Sequence, residues 1–174
     1  RHKNSVTDLW NRLVKSGDIY LSKYKGWYSV SDEAYYNEDE IIEKNGKKVS
    51  SFSGSLVEWV EEESFFFKLS AWEKKLLDFY EKNEKFILPL SRRTEVINFV
   101  KKGLKDLSVS RTSFTWGIKV PNNENHIIYV WLDALTNYLS ALNFPDLKNK
   151  LYKSFWPASL HVIGKDILRF HAIY

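Results

Sequence analysis

Hydrophobic positions recur along this chain in rhythms that change with position. Val6, Leu9, Trp10 and Leu13 fall at three- and four-residue spacing, which predicts an amphipathic helix over residues 1–16, stopped by Gly17. From Asp18 to Glu63 the apolar residues come in short aromatic and β-branched groups: Ile19-Tyr-Leu21, Gly26-Trp-Tyr-Ser-Val30 and Leu56-Val-Glu-Trp-Val60. Turn-formers at Asn45-Gly46 and Ser53-Gly-Ser55 separate them, so a small strand-rich module is expected, with Asn45-Gly46 as a hairpin turn. Helical spacing then returns. Ser70-Ala-Trp-Glu73 has capping-box spacing and precedes Leu76, Leu77, Phe79 and Tyr80. Pro89 closes that helix, and a second helix is expected over residues 94–102, ended by Gly103. Leu107 to Pro121 reads as extended, with a break at Trp116-Gly117.

The C-terminal part carries two similar units, His126-Ile-Ile-Tyr-Val-Trp-Leu-Asp-Ala-Leu-Thr-Asn-Tyr138 and Leu160-His-Val-Ile-Gly-Lys-Asp-Ile-Leu-Arg-Phe-His171. Each is a near-continuous apolar run, a polar turn, then residues at helical spacing. Buried parallel strands followed by crossover helices read this way. The expected class is therefore α/β, a parallel sheet interrupted by an inserted module. Neighbouring strand-to-helix junctions face one crevice beyond the strand ends, where open α/β sheets bind ligands. Spacing puts Ala134 and Tyr138 on one helical face, and Ile167, Phe170 and His171 on another. Trp131, Tyr138, Phe170 and His171 suit a small, soft, apolar ligand, although the same spacing fits plain core. Asp133 is expected to cap a helix beginning at Ala134. At Gly164-Lys-Asp166 a glycine lets backbone approach a ligand and a helix start favours an anion; Asp166 also fits a helix cap.

Composition narrows the class. With 44% hydrophobic residues the chain supports a core, and the absence of Cys excludes disulfides and thiolate metal sites. His2, His126, His161 and His171 form no helix-spaced pair, so a zinc site is not expected. No apolar run approaches the roughly 20 residues that span a bilayer, and no signal-peptide pattern opens the chain; a soluble intracellular protein is expected. There is no Met, and the pattern opens and closes inside helices, which predicts an internal piece of a longer protein. Net charge is +4, yet Asp32 to Glu63 holds ten acids against three bases. Bases cluster at Arg92-Arg93 and Lys101-Lys102, with Lys105 and Arg111 following. They form either a phosphate-attracting face or an ordinary solvated helix surface.

Longer stretches resemble a known family. Gly17-Asp-Ile-Tyr-Leu21 with Gly26-Trp-Tyr-Ser-Val30 is similar to the start of the connective peptide of methionyl-tRNA synthetases, and Val57-Glu-Trp-Val-Glu-Glu-Glu-Ser-Phe-Phe-Phe67 to its end. Asp106-Leu-Ser-Val-Ser-Arg-Thr-Ser-Phe-Thr-Trp-Gly117 resembles the re-entry into the catalytic domain. Tyr129 to Tyr138, and Phe155-Trp-Pro-Ala158 through His161 to His171, resemble the second half of the nucleotide fold. The likeness covers nearly the whole chain and is strongest to bacterial forms. It implies a class I synthetase nucleotide-binding (Rossmann-like) parallel sheet with an inserted β-rich and helical connective peptide. Residues 1–17 would end the N-terminal catalytic half, 18–107 would be the insert and its following helices, and 108–174 an incomplete second half. The family's His-Ile-Gly-His signature, Lys-Met-Ser-Lys-Ser loop and anticodon-binding domain are not in this sequence. His161-Val-Ile-Gly164 lacks the second His and does not stand in for the first signature.

The resemblance implies a cytoplasmic methionine–tRNA ligase. ATP, with Mg2+, would activate methionine to methionyl-adenylate, and the methionyl group would pass to tRNA(Met). It implies a methionine pocket lined by Val130, Trp131, Ala134, Leu135, Tyr138, Ile167, Phe170 and His171. In that pocket the Tyr138 hydroxyl would donate to the thioether and His171 would orient it. Gly164, Lys165 and Asp166 would lie near ATP, and Arg111 would support ATP or methionine. Arg92 and Arg93 would meet acceptor-arm phosphates of the tRNA. The connective peptide resembles the zinc-free type, so no metal is expected. No catalytic residue is assigned within the chain, which is expected to be inactive alone. Two rivals stand beside this reading. One is another class I synthetase for a large hydrophobic amino acid, whose pocket would be more aliphatic. The other is a non-catalytic tRNA-binding or assembly module that keeps the fold.

Overall fold

The computed structural model describes residues 1–174 apart from Glu33, Phe114 and the side chain of Tyr24. Glu33 of the acidic run and Phe114 of the stretch expected to be extended thus lie outside the described residues. In chain order the elements are α1 (His2–Lys15), β1 (Ile19–Ser29), β2 (Ala34–Tyr36), β3 (Ile41–Lys44), β4 (Lys47–Ser50), β5 (Glu58–Phe67), α2 (Glu73–Lys82), α3 (Leu90–Lys101), β6 (Leu107–Ser108), β7 (Ser110–Arg111), β8 (Lys119–Val120), β9 (Asn123–Ile128), α4 (Val130–Leu135), α5 (Asn137–Ala141), α6 (Lys150–Phe155) and α7 (Leu168–Ala172). They form two compact units, one of Arg1–Tyr20 with Phe65–Tyr174, the other of Leu21–Ser64.

In the larger unit the apolar stripe of α1 buries Val6 and Trp10 among Ile19, Val109, Val120 and Ile128. Trp10 meets Phe65 edge-on at 5.3 Å between ring centroids. Gly17 ends the helix in the left-handed region, at φ +78. A second cluster gathers Leu69, Tyr80, Val96, Val100, Leu104 and Ile173, where burial pushes the Tyr80 phenol up to about 12. The expected capping box does not close. Ser70 instead donates through its N–H (3.1 Å) and hydroxyl (2.5 Å) to Asp106, and Glu73 accepts the Leu104 N–H at 2.9 Å. Both polar groups thus tie the start of α2 to the segment after α3. Helix α3 begins at Leu90, earlier than expected, because Pro89 is extended and stands just before its first turn. Gly103 follows its end at φ +97.

The three-stranded sheet has the order β7-β9-β8 and pairs antiparallel; β6 pairs antiparallel with the end of β5. The first C-terminal unit therefore forms its strand and helix, β9 then α4, but the parallel pairing expected with the second is not formed among the described residues. Residues 160–164 form no regular element and no ladder, and Leu160 and Val162 are 77% and 88% exposed. Both edges of β9 are taken, by β7 and β8.

The smaller unit is built on antiparallel pairs β1–β2 and β3–β4. The β3–β4 turn is the expected one. Asn45 and Gly46 both take positive φ, 53 and 72, matching the strand twist as a mirror-image turn does. Asp32 accepts from the hydroxyls of Ser53 (2.5 Å), Ser55 (2.7 Å) and Tyr36 (2.6 Å). Those bonds, Ser53's first, hold its carboxyl below the usual aspartate value. Trp27 packs edge-on to Trp59 with the Lys48 ammonium over its ring.

Candidate functional site

Helices α4 and α5 are one run bent at Thr136. The Thr136 hydroxyl donates to the Leu132 carbonyl at 2.6 Å, a back-bond that bends helices. Its N–H turns to Asp133 O at 3.2 Å, and the Asn137 side-chain amide takes the Ala134 carbonyl. The bend breaks the common face expected of Ala134 and Tyr138: Ala134 is exposed, Tyr138 half-buried. Asp133 lies inside α4 and caps nothing. It is 2.6 Å from His2 Nε2, and the other ring nitrogen of His2 is 2.9 Å from Ser140 Oγ. A single imidazole on α1 thus spans the bend. Beside it, Ser5 donates to the Phe144 carbonyl at 2.5 Å.

Across from the bend stand a one-turn helix at Lys165–Ile167 and then α7. His171 Nδ1 lies 2.9 Å from the Ile167 carbonyl, and Nε2 lies 2.8 Å from the Tyr138 hydroxyl. A carbonyl only accepts, so Nδ1 carries the proton; in the neutral ring Nε2 is then the acceptor and Tyr138 donates. This differs from the expected arrangement, since the hydroxyl proton points at His171 rather than at a ligand sulfur. Trp131 stacks face to face on Phe170, centroids 3.7 Å apart and planes within 9°.

These groups border two clefts. The larger, about 460 Å3, is lined by Leu135, Tyr138, Phe170 and His171, with His161, Trp156, Tyr174 and the Lys85–Leu88 loop. The smaller, about 260 Å3, is lined by Trp131, Leu132 and Leu135, with Leu9, Leu13, Tyr129 and Leu139. Val130, Ala134 and Ile167 line neither cleft, though the Ile167 carbonyl anchors His171. Gly164, Lys165 and Asp166 are exposed and line neither. Gly164 has an ordinary φ of −69, and a Cβ there would meet nothing within 4 Å. Open space, not backbone strain, is the feature of that turn. The helix following it is a single 3-10 turn leading into five residues of α7, too short for a strong terminal field. Arg111 is buried. It donates to Ser108 Oγ (2.8 Å) and the Ser110 carbonyl (2.7 Å), and lies over the Tyr129 ring at 4.4 Å. It stands behind a wall of the smaller cleft and is not an ordinary surface arginine.

Sequence reasoning missed His161, Trp156, Tyr174 and the Lys85–Leu88 loop as cleft walls. His161 is exposed, as are Leu160 and Val162 on either side of it, so no alternation marked it in the sequence, and the loop left no signal either. Arg93 spends its guanidinium on the Tyr80 carbonyl at 2.8 Å, and Arg92 pairs with Glu95 at 2.7 Å. Among the described residues no group of three or more His, Cys, Asp or Glu is placed to hold a metal, and no helix is long and apolar enough to cross a membrane.

Comparison with known proteins places this geometry. The family model of class I tRNA synthetases (M) matches residues 1–47 and 44–174. The methionine–tRNA ligase of Rickettsia typhi is 60% identical over 174 residues, covering 100% of this chain and 33% of the relative. That of Brucella suis is 55% identical over 175 residues, covering 100% and 34%. A crystal structure of Mycobacterium tuberculosis methionyl-tRNA synthetase bound by methionyl-adenylate superposes with a TM-score of 0.93 at 51% identity, over 99% of this chain and 34% of that one. The chain thus spans about a third of the length of the curated relatives it matches. A match along its whole length to the family model means that this chain belongs to the class I tRNA synthetases of the M family.

Proposed function

We propose that the full-length protein carrying this chain is a methionine–tRNA ligase working in the cytoplasm. The observation that carries the reading is the aromatic cleft, with Tyr138–His171 on one side and Phe170 stacked on Trp131 on the other, in a chain 60% identical over 174 residues to a methionine–tRNA ligase. A thioether favours such rings by about 0.3–1.5 kcal/mol per contact. The related Mycobacterium tuberculosis enzyme was crystallised with methionyl-adenylate, and the proposed ligand here is of that kind. A carboxylate oxygen of methionine attacks the α-phosphorus of ATP, which enters with Mg2+, and pyrophosphate leaves. A terminal-adenosine hydroxyl of tRNA(Met) then attacks the acyl carbon and AMP departs. The protein's work in both steps is positioning and electrostatic stabilisation.

Leu135, Tyr138, Phe170 and His171 are the proposed walls for the methionine side chain, with Trp131 backing Phe170. The open turn at Gly164, Lys165 and Asp166 is the proposed approach for the nucleotide, and Arg111 supports the wall through Tyr129. Residues 18–107 are proposed as the connective insert with its following helices, between the two parts of the catalytic domain. The test is ATP–pyrophosphate exchange by the full-length protein with methionine, leucine or isoleucine. Methionine-dependent exchange is expected, and none from residues 1–174 alone. Exchange driven by leucine or isoleucine, or tRNA binding without any amino-acid dependence, would overturn the reading.

A further inference from the structure

We propose that His161 is a positioning residue that fixes the rotation of the Tyr138 ring and so sets how tightly methionine is held; the proposal rests on the reading of the larger cleft given above. The hydrogen bond to His171 holds the Tyr138 oxygen at 2.8 Å. That oxygen lies on the axis about which a tyrosine ring turns, so this bond leaves the ring free to rotate. The rotation is set by contacts on the ring itself; the His171 ring meets it edge-on at 5.7 Å, and a nearer contact fixes it more closely. His161 supplies one: its imidazole meets the phenol edge-to-face, centroids 4.7 Å apart and planes at 73°, an arrangement that aromatic pairs prefer.

The segment carrying His161 turns Leu160 and Val162 to solvent at 77% and 88% exposure; His161 between them is also exposed, yet its ring lies on the Tyr138 phenol. No hydrogen bond or ion pair ties the His161 ring elsewhere among the described residues. Its other ring neighbour is His171, at 6.4 Å. His161 therefore touches both members of the Tyr138–His171 pair while itself lining the cleft. A ligand side chain lying against Tyr138 meets a ring held at its oxygen by His171 and in its rotation by both histidines, His161 being the nearer.

The experiment compares His161→Ala and His161→Phe in the full-length protein, by ATP–pyrophosphate exchange and thermal melting. His161→Ala is expected to raise the methionine KM by roughly 2- to 10-fold, the factor that one aromatic pair is worth. The kcat and the ATP KM should stay within about twofold, as kcat does when binding shared equally by ground state and transition state is lost. His161→Phe, which keeps a ring edge, should return the methionine KM to within about twofold of wild type. A wild-type KM in His161→Ala, a Phe variant as defective as Ala, or matching falls in kcat and melting temperature would each overturn the proposal. Tyr138→Ala in the same assay separates the two levels. If it raises the methionine KM while His161→Ala does not, only the role of His161 falls; if it too leaves the KM unchanged, the cleft itself is misassigned.

Discussion

The Tyr138–His171 hydrogen bond can be weighed by removing its two partners singly and together. Tyr138→Phe deletes the donor and leaves His171 Nε2 facing the cleft. His171→Ala deletes the acceptor, the 2.9 Å bond to the Ile167 carbonyl and a ring contact at 5.7 Å. A neutral hydrogen bond is worth about 0.5–1.5 kcal/mol net, and this one is half-buried, so about 1 kcal/mol, or roughly fivefold in kcat/KM, is the expected loss in Tyr138→Phe. His171→Ala, losing two bonds and ring packing, should cost about 2–3 kcal/mol. Once His171 is gone the hydroxyl has no partner to lose, so adding Tyr138→Phe should cost almost nothing more. The coupling is then about 1 kcal/mol, read from methionine-dependent pyrophosphate exchange. Costs that simply add, within about 0.3 kcal/mol, would refute the bond. The direction of donation has its own readout. Because the proton is directed at Nε2, Tyr138→Phe should weaken methionine and norleucine equally. A selective loss of methionine would mean that the hydroxyl serves the sulfur instead.

Asp106→Asn should lower stability by about 1–2 kcal/mol, a melting shift of roughly 2–8 °C, because the carboxylate gathers the Ser70 N–H, the Ser70 hydroxyl and the Tyr20 hydroxyl. Burial pushes the Asp106 carboxyl up, but hydrogen bonds from Ser70 and Tyr20 and the nearby Lys68 charge more than offset it, leaving it below the usual value. Its contribution is therefore complete above the unfolded value of about 3.9 and lost as pH falls through the lower folded value. Melts at neutral pH and near pH 3 should show the gap between wild type and variant narrowing in acid; a constant gap would contradict this. Gly117→Ala should cost more than about 2 kcal/mol in urea unfolding, since φ there is +133 and the new Cβ would lie 2.5 Å from Ile127 Cγ2. A near-neutral variant would show that the turn relaxes.

Features that depend on neighbouring residues alone were legible. The stripe of α1, its stop at Gly17 and the Asn45-Gly46 turn need no partner from elsewhere, and the structure forms each of them. Features that depend on which distant group arrives first were not. Ser70 and Glu73 have the spacing of a local cap, but Asp106 and the Leu104 N–H reach them and take their hydrogen-bonding capacity. The bend at Thr136 was hidden because a threonine hydroxyl in a helix either faces solvent or bonds back, and the sequence pattern is the same for both. At the site, Leu135, Tyr138, Phe170 and His171 line one cleft, whereas Ala134 and Ile167, which spacing set on the same faces as Tyr138 and as Phe170 and His171, do not. The Lys85–Leu88 wall arrives from a separate helical pair and leaves no trace in local periodicity.

The bend also decides how the aromatic residues divide their work. Leu135, Trp156 and Tyr174 line both clefts, so the two spaces share walls, and the Trp131–Phe170 stack stands with Trp131 toward the smaller and Phe170 toward the larger. At 3.7 Å and 9° that stack has no room for a side chain between its rings. A ligand in the larger cleft therefore meets Phe170 but not the covered face of Trp131, unless it first parts a pair worth about 0.5–1.5 kcal/mol. The Thr136 back-bond marks the break between α4 and α5, and past that break the Tyr138 phenol lies on His171. Shape is then set by the stacked pair and polarity by the Tyr138–His171 pair. Under the proposed function such a cleft would select a flexible, weakly polar side chain by packing, where one methylene is worth only about 1–3 kcal/mol. Discrimination against norleucine, which differs from methionine by a methylene in place of the sulfur, must accordingly be modest.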